Sequence, residues 1–316
     1  DTVMAQRHLA FSLHGLGEDE EAERLYLDAI ERGLRLFGED HPGTLSAMTN
    51  LGAMYEETGR PDKAEELYLE TLEIQRRTAG EDHPATLIAQ HNLGSLYLNQ
   101  GRPAKAEEIL RRTLEQRREI LGELHDYTMQ TKSNLALAYW DLGRDDEAEM
   151  LLTEVLDDRR RVLGREHVST IEAASDLGVF YIRHNRHAEA VPLFERQIEI
   201  LRRQEQSPKR DRDLYFFMVD LANIYKKFGR FEDAQAHYEE ALEGLRAMEH
   251  RGVAVVSYNL ACLAALRGDR RLAIDALRGA VEAGFKKPEH IQNDPDLVSL
   301  RLHPEFDEII ALAAAP

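Results

Sequence analysis

Cysteine and tryptophan are almost missing from this chain: among 316 residues there is one of each, Cys262 and Trp140. A single thiol excludes a disulfide framework and any multi-thiolate zinc site, and it fits a reducing, cytoplasmic setting. No apolar run approaches the ~18 residues of a membrane span, and no signal-peptide pattern opens the chain. An excess of positive charge is missing too, since 58 acids stand against 40 bases for a formal net charge of −18. Binding nucleic acid or an anionic membrane without specificity needs a cationic face, so neither partner is expected. Catalytic signatures are absent as well. There is no nucleophile elbow, HExxH or kinase motif, and Gly15 and Gly17 have neither the preceding strand nor the following Lys-Ser/Thr of a phosphate loop. The first residue is Asp1 rather than Met, the start expected of a processed form or a piece of something longer.

The acidity is front-loaded. Residues 1–100 carry 19 acids and 8 bases, whereas 151–316 carry 28 and 24. Many charges sit at i,i+4 spacing, as Glu73 and Arg77 do, which is ordinary for solvated helix faces. Carboxylates paired on such faces are too exposed for acid–base catalysis. His41, His83, His125 and His167 recur every 42 residues, so they are spread along the chain and cannot share one metal ion. His184 and His187 have no carboxylate or thiolate pattern beside them, and residues 202–212, basic by a small margin, read as a solvated loop. No cofactor, metal ion or catalytic residue is expected, and the chain does not read as an enzyme.

The strongest signal is self-similarity. Gly38-Glu39-Asp40-His41-Pro42-Gly43-Thr44-Leu45 returns as Gly80-Glu81-Asp82-His83-Pro84-Ala85-Thr86-Leu87, and more loosely from Gly122 and Gly164. A small residue recurs at Ala10, Gly52, Gly94, Ala136, Gly178, Ala222 and Ala261. Twelve residues after each stands an alanine, from Ala22 and Ala64 to Ala273. Seven repeats follow, near 1–38, 39–80, 81–122, 123–164, 165–208, 209–250 and 251–285, with 286–316 left as a cap.

Each repeat reads as two helices. Leu45, Met48, Leu51, Met54 and Tyr55 are spaced for one helical face, and Gly59 takes the left-handed position past its end, where Asn185 stands in the fifth repeat. Pro61 then starts the second helix, where a missing N–H costs nothing. Small residues at two fixed places allow two antiparallel helices to approach, so Gly52 is expected to face Ala64 with Tyr55 and Tyr68 packed around it. One such hairpin buries too little apolar surface to stand alone, and stacking shares the core. The expected fold is all-α: a right-handed superhelical solenoid of seven helix-turn-helix hairpins plus a C-terminal capping helix. Residues 304–312 read as that final helix, with Phe306, Ile309 and Ile310 covering the last hairpin.

The pattern of Leu51-Gly52, Tyr55, Gly59, Ala64 and Tyr68 resembles the tetratricopeptide repeat. Its 42-residue period and Gly-Glu-Asp-His-Pro-x-Thr turn resemble the longer repeat of kinesin light chains, also widespread in bacterial proteins. The closing segment, with Asp294-Pro295-Asp296-Leu297 and His303-Pro304-Glu305-Phe306, is similar to the ends of many bacterial tetratricopeptide proteins, some of them parts of large serine/threonine protein kinases. The resemblance implies a non-enzymatic scaffold that binds a protein or peptide in a concave groove. The alternative is a regulatory or substrate-docking region of a larger enzyme such as a kinase. A monomer is expected, with self-association through the end repeats as the competing state.

Groove candidates follow from position. Two residues before each small landmark stand His8, Asn50, Asn92, Asn134, Asp176, Asp220 and Asn259. Asparagine is a poor helix-interior residue, so the series needs a reason. Either each amide bonds a neighbouring repeat, or the amides form a ladder that grips the backbone of an extended peptide. The resemblance implies the second role for Asn50, Asn92, Asn134 and Asn259. One turn on come Glu56, Glu57, Asn99, Trp140, Arg183, Lys226 and Lys227. Trp140 is either an anchor for the ligand or packing between hairpins. The charges predict a ligand with its basic end at Glu56 and Glu57 and its acidic end at Arg183, Lys226 and Lys227.

Overall fold

The computed structural model describes residues 2–315, so Asp1, which bears the expectation about the chain's start, lies outside the described residues. The described residues form helices and no strand, and none of the helices is long and apolar enough to cross a membrane. The helices gather into two units, one up to Arg165 and one from Glu166 on. The first contains α1 (Thr2–Gly15), α2 (Asp19–Phe37), α3 (Pro42–Glu57), α4 (Pro61–Ala79), α5 (Pro84–Asn99), α6 (Pro103–Leu121), α7 (Asp126–Asp141) and α8 (Asp145–Leu163). The second contains α9 (Val168–Arg183), α10 (His187–Arg203), α11 (Pro208–Lys227), α12 (Phe231–Ala247), α13 (Val253–Arg267) and α14 (Arg270–Glu282). It ends with α15 (Pro288–Asn293), a 3₁₀ helix (Pro295–Leu300) and α16 (Pro304–Ala314). Each odd-numbered helix from α1 to α13 packs on the next to make seven hairpins, and within each unit every hairpin packs on its neighbour.

The recurring turn motif works in both directions along the chain. The Nδ1 atoms of His41, His83, His125 and His167 accept the N–H two residues on, at 3.1–3.2 Å, and so cap α3, α5, α7 and α9. The threonine three residues after the histidine reaches back: Thr86 donates to the Gly80 carbonyl at 2.7 Å and Thr128 to that of Gly122 at 2.8 Å. At the other turn Gly59 has φ +73° and Asn185 φ +57°, the left-handed conformation their positions require.

The small residues admit large ones. A Cβ on Gly52 would lie 2.6 Å from the Tyr68 ring, and one on Gly178 would lie 2.8 Å from Phe194. The side chain that fills the space above Gly52 is therefore Tyr68, one turn beyond the buried Ala64. Burial of such a ring contributes about 1.5–3 kcal/mol. A second device staples neighbouring hairpins. Tyr97 donates to Glu65 at 3.1 Å, Arg102 binds the same carboxylate, and the guanidinium lies 4.4 Å from the Tyr97 ring centroid. Tyr55, Glu23 and Arg60 repeat this arrangement, and Tyr225 donates to Glu195 at 2.6 Å with Arg230 over its ring.

Two findings differ from the sequence reading. Residues 202–212 are mostly helical, because Ser207 caps α11 by accepting the Arg210 N–H at 3.2 Å and Pro208 supplies its first turn. The cap contains more than the final helix. Phe306 and Ile309 are buried against α13 and α14 with Ile310 beside them, but Ile291, Leu297 and Leu300 fill the same core.

Candidate binding face

In the first unit the recurring amides stand on α3 (Asn50), α5 (Asn92) and α7 (Asn134), all half-buried. Asn50 lines a cavity of about 490 Å³ together with Thr49, Gln75, His83 and Ile88. The Gln75 side-chain oxygen is buried there without a hydrogen-bond partner. No hydrogen bond to the Asn92 or Asn134 side chain occurs among the described residues. Beside Asn92 on α5, burial and the nearby Arg117 guanidinium push the His91 imidazole down to about 4, so it is neutral at pH 7. Arg117 is itself 1% exposed, and donates to the Tyr127 and Leu87 carbonyls and to Thr131. These bonds fix α5 and α7, which carry the first unit's last two amides, against α6.

In the second unit the series continues with Asp176 on α9, Asp220 on α11 and Asn259 on α13. Asn259 donates to Asn223 at 3.4 Å, and Asn223 also accepts the Tyr238 hydroxyl at 2.5 Å, so this amide serves the fold. Asp176 and Asp220 line a second cavity, of about 560 Å³. Burial pushes the Asp220 carboxyl up to about 6.

The remaining candidates are tied to neighbours. The Asn99 amide donates to Glu56, bringing two of the candidates together, and His14 bridges Glu57 at 2.9 Å and Asp19 at 2.6 Å. Trp140 is half-buried near the end of α7, and Arg183 is exposed at the end of α9. Lys226 does not offer a free cation: its Nζ lies 2.8 Å from Asp296, on the 3₁₀ helix. Lys227 donates to Asn185 at 3.3 Å. The expected basic end of the groove is thus partly neutralised by the C-terminal segment.

That segment also brings together Cys262, Asp294 and Asp296, whose ligand-type atoms lie within 4.8 Å of one another. Their bonding is that of a clasp. Asp294 Oδ1 accepts the Asp296 N–H at 2.8 Å, Oδ2 accepts the Tyr258 hydroxyl, and Asp296 holds Lys226. Burial pushes the Cys262 thiol up to about 12, which keeps it protonated and a poor metal ligand. Sequence reasoning missed the part Asp294 and Asp296 play here; the Asp294-Pro295-Asp296 triplet, with an acid before a proline, was its available signal. Gln75, Arg117 and the aromatic pair Phe216 and Phe217 gave no comparable signal.

The tetratricopeptide repeat family model matches residues 1–77, 50–119, 127–203 and 216–283, and a second model of the same repeat matches 91–161. A crystal structure of BtubC (BKLC) from P. vanneervenii is 25% identical, with a TM-score of 0.64 over 72% of this chain and 90% of that one. A structure of kinesin light chain-like repeats, described as a putative kinesin light chain of Podosopora anserina with nearly identical TPR-like repeats, is 27% identical, with a TM-score of 0.56 over 62% and 92%. Among curated proteins, a chloroplast protein of Arabidopsis thaliana is 30% identical over 110 residues, which are 35% of this chain. The chain spans 31% of that relative's length.

Proposed function

This chain belongs to the tetratricopeptide repeat family, and we propose that it is a non-enzymatic interaction scaffold that binds an extended segment of a partner protein across its odd-numbered helices. The observation that carries this reading is the pair Asn92 and Asn134, half-buried amides in helix interiors with no hydrogen bond among the described residues. Asparagine is a poor helix former, so local helix stability does not account for their recurrence at this position. An amide presents both a donor and an acceptor and can pair with a peptide unit's C=O and N–H together. Packed helices lie about 8–10 Å apart, close to three residues of extended chain at ~3.3 Å each. One amide would therefore meet the ligand about every third residue. Asn50 and its adjoining cavity extend the series, with Glu56, Glu57, Asn99 and Trp140 at its edge. Asp176, Asp220, Arg183, Lys226 and Lys227 are the corresponding positions of the second unit, and Asn259 is the position that the fold itself uses.

The test is affinity capture from the source organism with the wild type and an Asn92→Ala/Asn134→Ala variant, followed by titration of the captured segment as a synthetic peptide. Each bond nets about 0.5–1.5 kcal/mol, so losing two amides should weaken binding by roughly 2 kcal/mol, about thirtyfold. The same partners captured with the same affinity by both proteins would refute the amide ladder.

A further inference from the structure

We propose that the cavity between α9, the end of α10 and the start of α11 is a pocket for an arginine side chain of a partner segment bound on the second unit, with the Asp220 carboxylate as its counter-charge. This rests on the peptide-binding reading and specifies one residue of the ligand. The pocket has room for it, at about 560 Å³. Ile171, Leu201 and Phe217 give it buried apolar walls, and Phe216 is 40% exposed beside them.

The charges around the pocket decide the sign of the ligand. Its bases already have partners: Lys209 lies 3.6 Å from Glu172, Arg212 lies 3.2 Å from Asp213, and Arg210 holds Asp211 and the Leu201 carbonyl. Asp220 has neither a hydrogen bond nor an ion pair among the described residues. Burial without a counter-charge pushes its carboxyl up to about 6, and a bound cation relieves that penalty. A side chain with a long apolar stem and a cationic head matches such walls and such a charge. Arginine suits it best, because the planar guanidinium binds a carboxylate in two bonds and stacks on phenyl rings.

The groups that share the pocket with Asp220 are Glu172 and Asp176 from α9 and the charged residues at the start of α11, with the Tyr238 hydroxyl of α12 near enough to feel its charge. Comparison with Asp220→Asn cancels their titrations. That substitution keeps the shape and removes a buried charge, so the variant folds, as circular dichroism would verify.

The experiment titrates the 316-residue protein with Nα-acetyl-arginine methylamide and with its uncharged citrulline analogue, following backbone amide signals of α9 and α11 by NMR. At pH 7.5 the arginine probe should bind at least tenfold more tightly than citrulline. The preference should disappear in Asp220→Asn and fall about tenfold by pH 5, where a carboxyl of pKa about 6 is mostly protonated. Equal binding of the two probes, or a preference that survives Asp220→Asn, would overturn the proposal. A single blocked residue does not engage the amide ladder, so failure here leaves the Asn92 and Asn134 reading standing. Failure of the ladder variants, in turn, does not touch this measurement.

Discussion

His91 gives the first unit a specific acid sensitivity. The ring sits on α5 with Nδ1 3.4 Å from the Thr131 hydroxyl, which also accepts from Arg117 at 2.6 Å. Burial first, and the Arg117 charge second, lower its pKa from 6.5 to about 4. In the unfolded chain the ring titrates near 6.5. Between those values the unfolded state binds a proton that the native state refuses, so stability falls as the pH falls. At pH 5 the unfolded ring is about 1.5 below its own pKa while the native ring remains neutral, so the loss relative to pH 7.5 is roughly 2 kcal/mol. The assay is urea unfolding of the wild type and of His91→Leu at several pH values from 7.5 to 5, monitored by hydrogen exchange of α5 and α6 amides. His91→Leu removes the titration and leaves Thr131 bonded to the Tyr127 carbonyl at 2.8 Å. Other groups cancel in the difference, among them Asp220, whose raised pKa makes its own contribution rise as the pH falls. Stability curves that stay parallel over that range would refute the argument, because the variant must lose less than the wild type.

Two further perturbations probe the same unit. Lys132 is 1% exposed, and its Nζ lies 2.8, 3.0 and 3.4 Å from Glu123, Asp158 and Glu154. Lys132→Met should cost about 2 kcal/mol in urea unfolding at pH 7, less than the roughly 3–5 of a fully buried pair because Glu123 and Glu154 can rehydrate; stability equal to the wild type would contradict the bridge. The Arg102 and Tyr97 bonds hold the Glu65 carboxyl below its usual range, so its contribution is present at neutral pH and is lost as the pH falls below about 4.5. Glu65→Gln should accordingly destabilise by about 1–2 kcal/mol at pH 7, with the deficit narrowing as the pH falls below about 4.5, and a deficit independent of pH would show that the staple does not depend on charge.

The helices were legible because their signals are local. Proline at the first turn, glycine past the last, and a small residue every 42 positions each act within one hairpin. What escaped the sequence depends on contacts between hairpins. Met48, Gln90, Lys132 and Ala174 occupy one register and are all buried, yet Gln90 bonds Glu81 and Thr113 while Lys132 gathers three carboxylates. Gly33, Gln75, Arg117 and Arg159 occupy another, and a Cβ on Gly33 would strike Thr44 at 2.3 Å, whereas Arg117 bonds to both α5 and α7. A periodic pattern averages over such exceptions. The amides were found for the opposite reason: they are the polar residues that do repeat.

The same distinction decides what a net charge of −18 can say about a partner. Read in isolation, Glu56 and Glu57 made one end acidic and Arg183, Lys226 and Lys227 made the other basic. In the folded chain Glu57 meets His14, Glu56 accepts from Asn99, and Lys226 is bound by Asp296 from a segment 70 residues away. Glu23, Glu65 and Glu195 are likewise held within the stack by tyrosine or arginine partners. Exposed charges of this kind interact weakly with anything else, since water and salt screen them. Among the described residues, the candidate groups left with unmet bonding capacity are few and half-buried: two neutral amides on α5 and α7, and one carboxylate on α11 whose burial makes its ionisation unfavourable. Recognition by such groups depends on the placing of hydrogen bonds and of one cation, so a partner's sequence at two or three positions should matter more than its net charge.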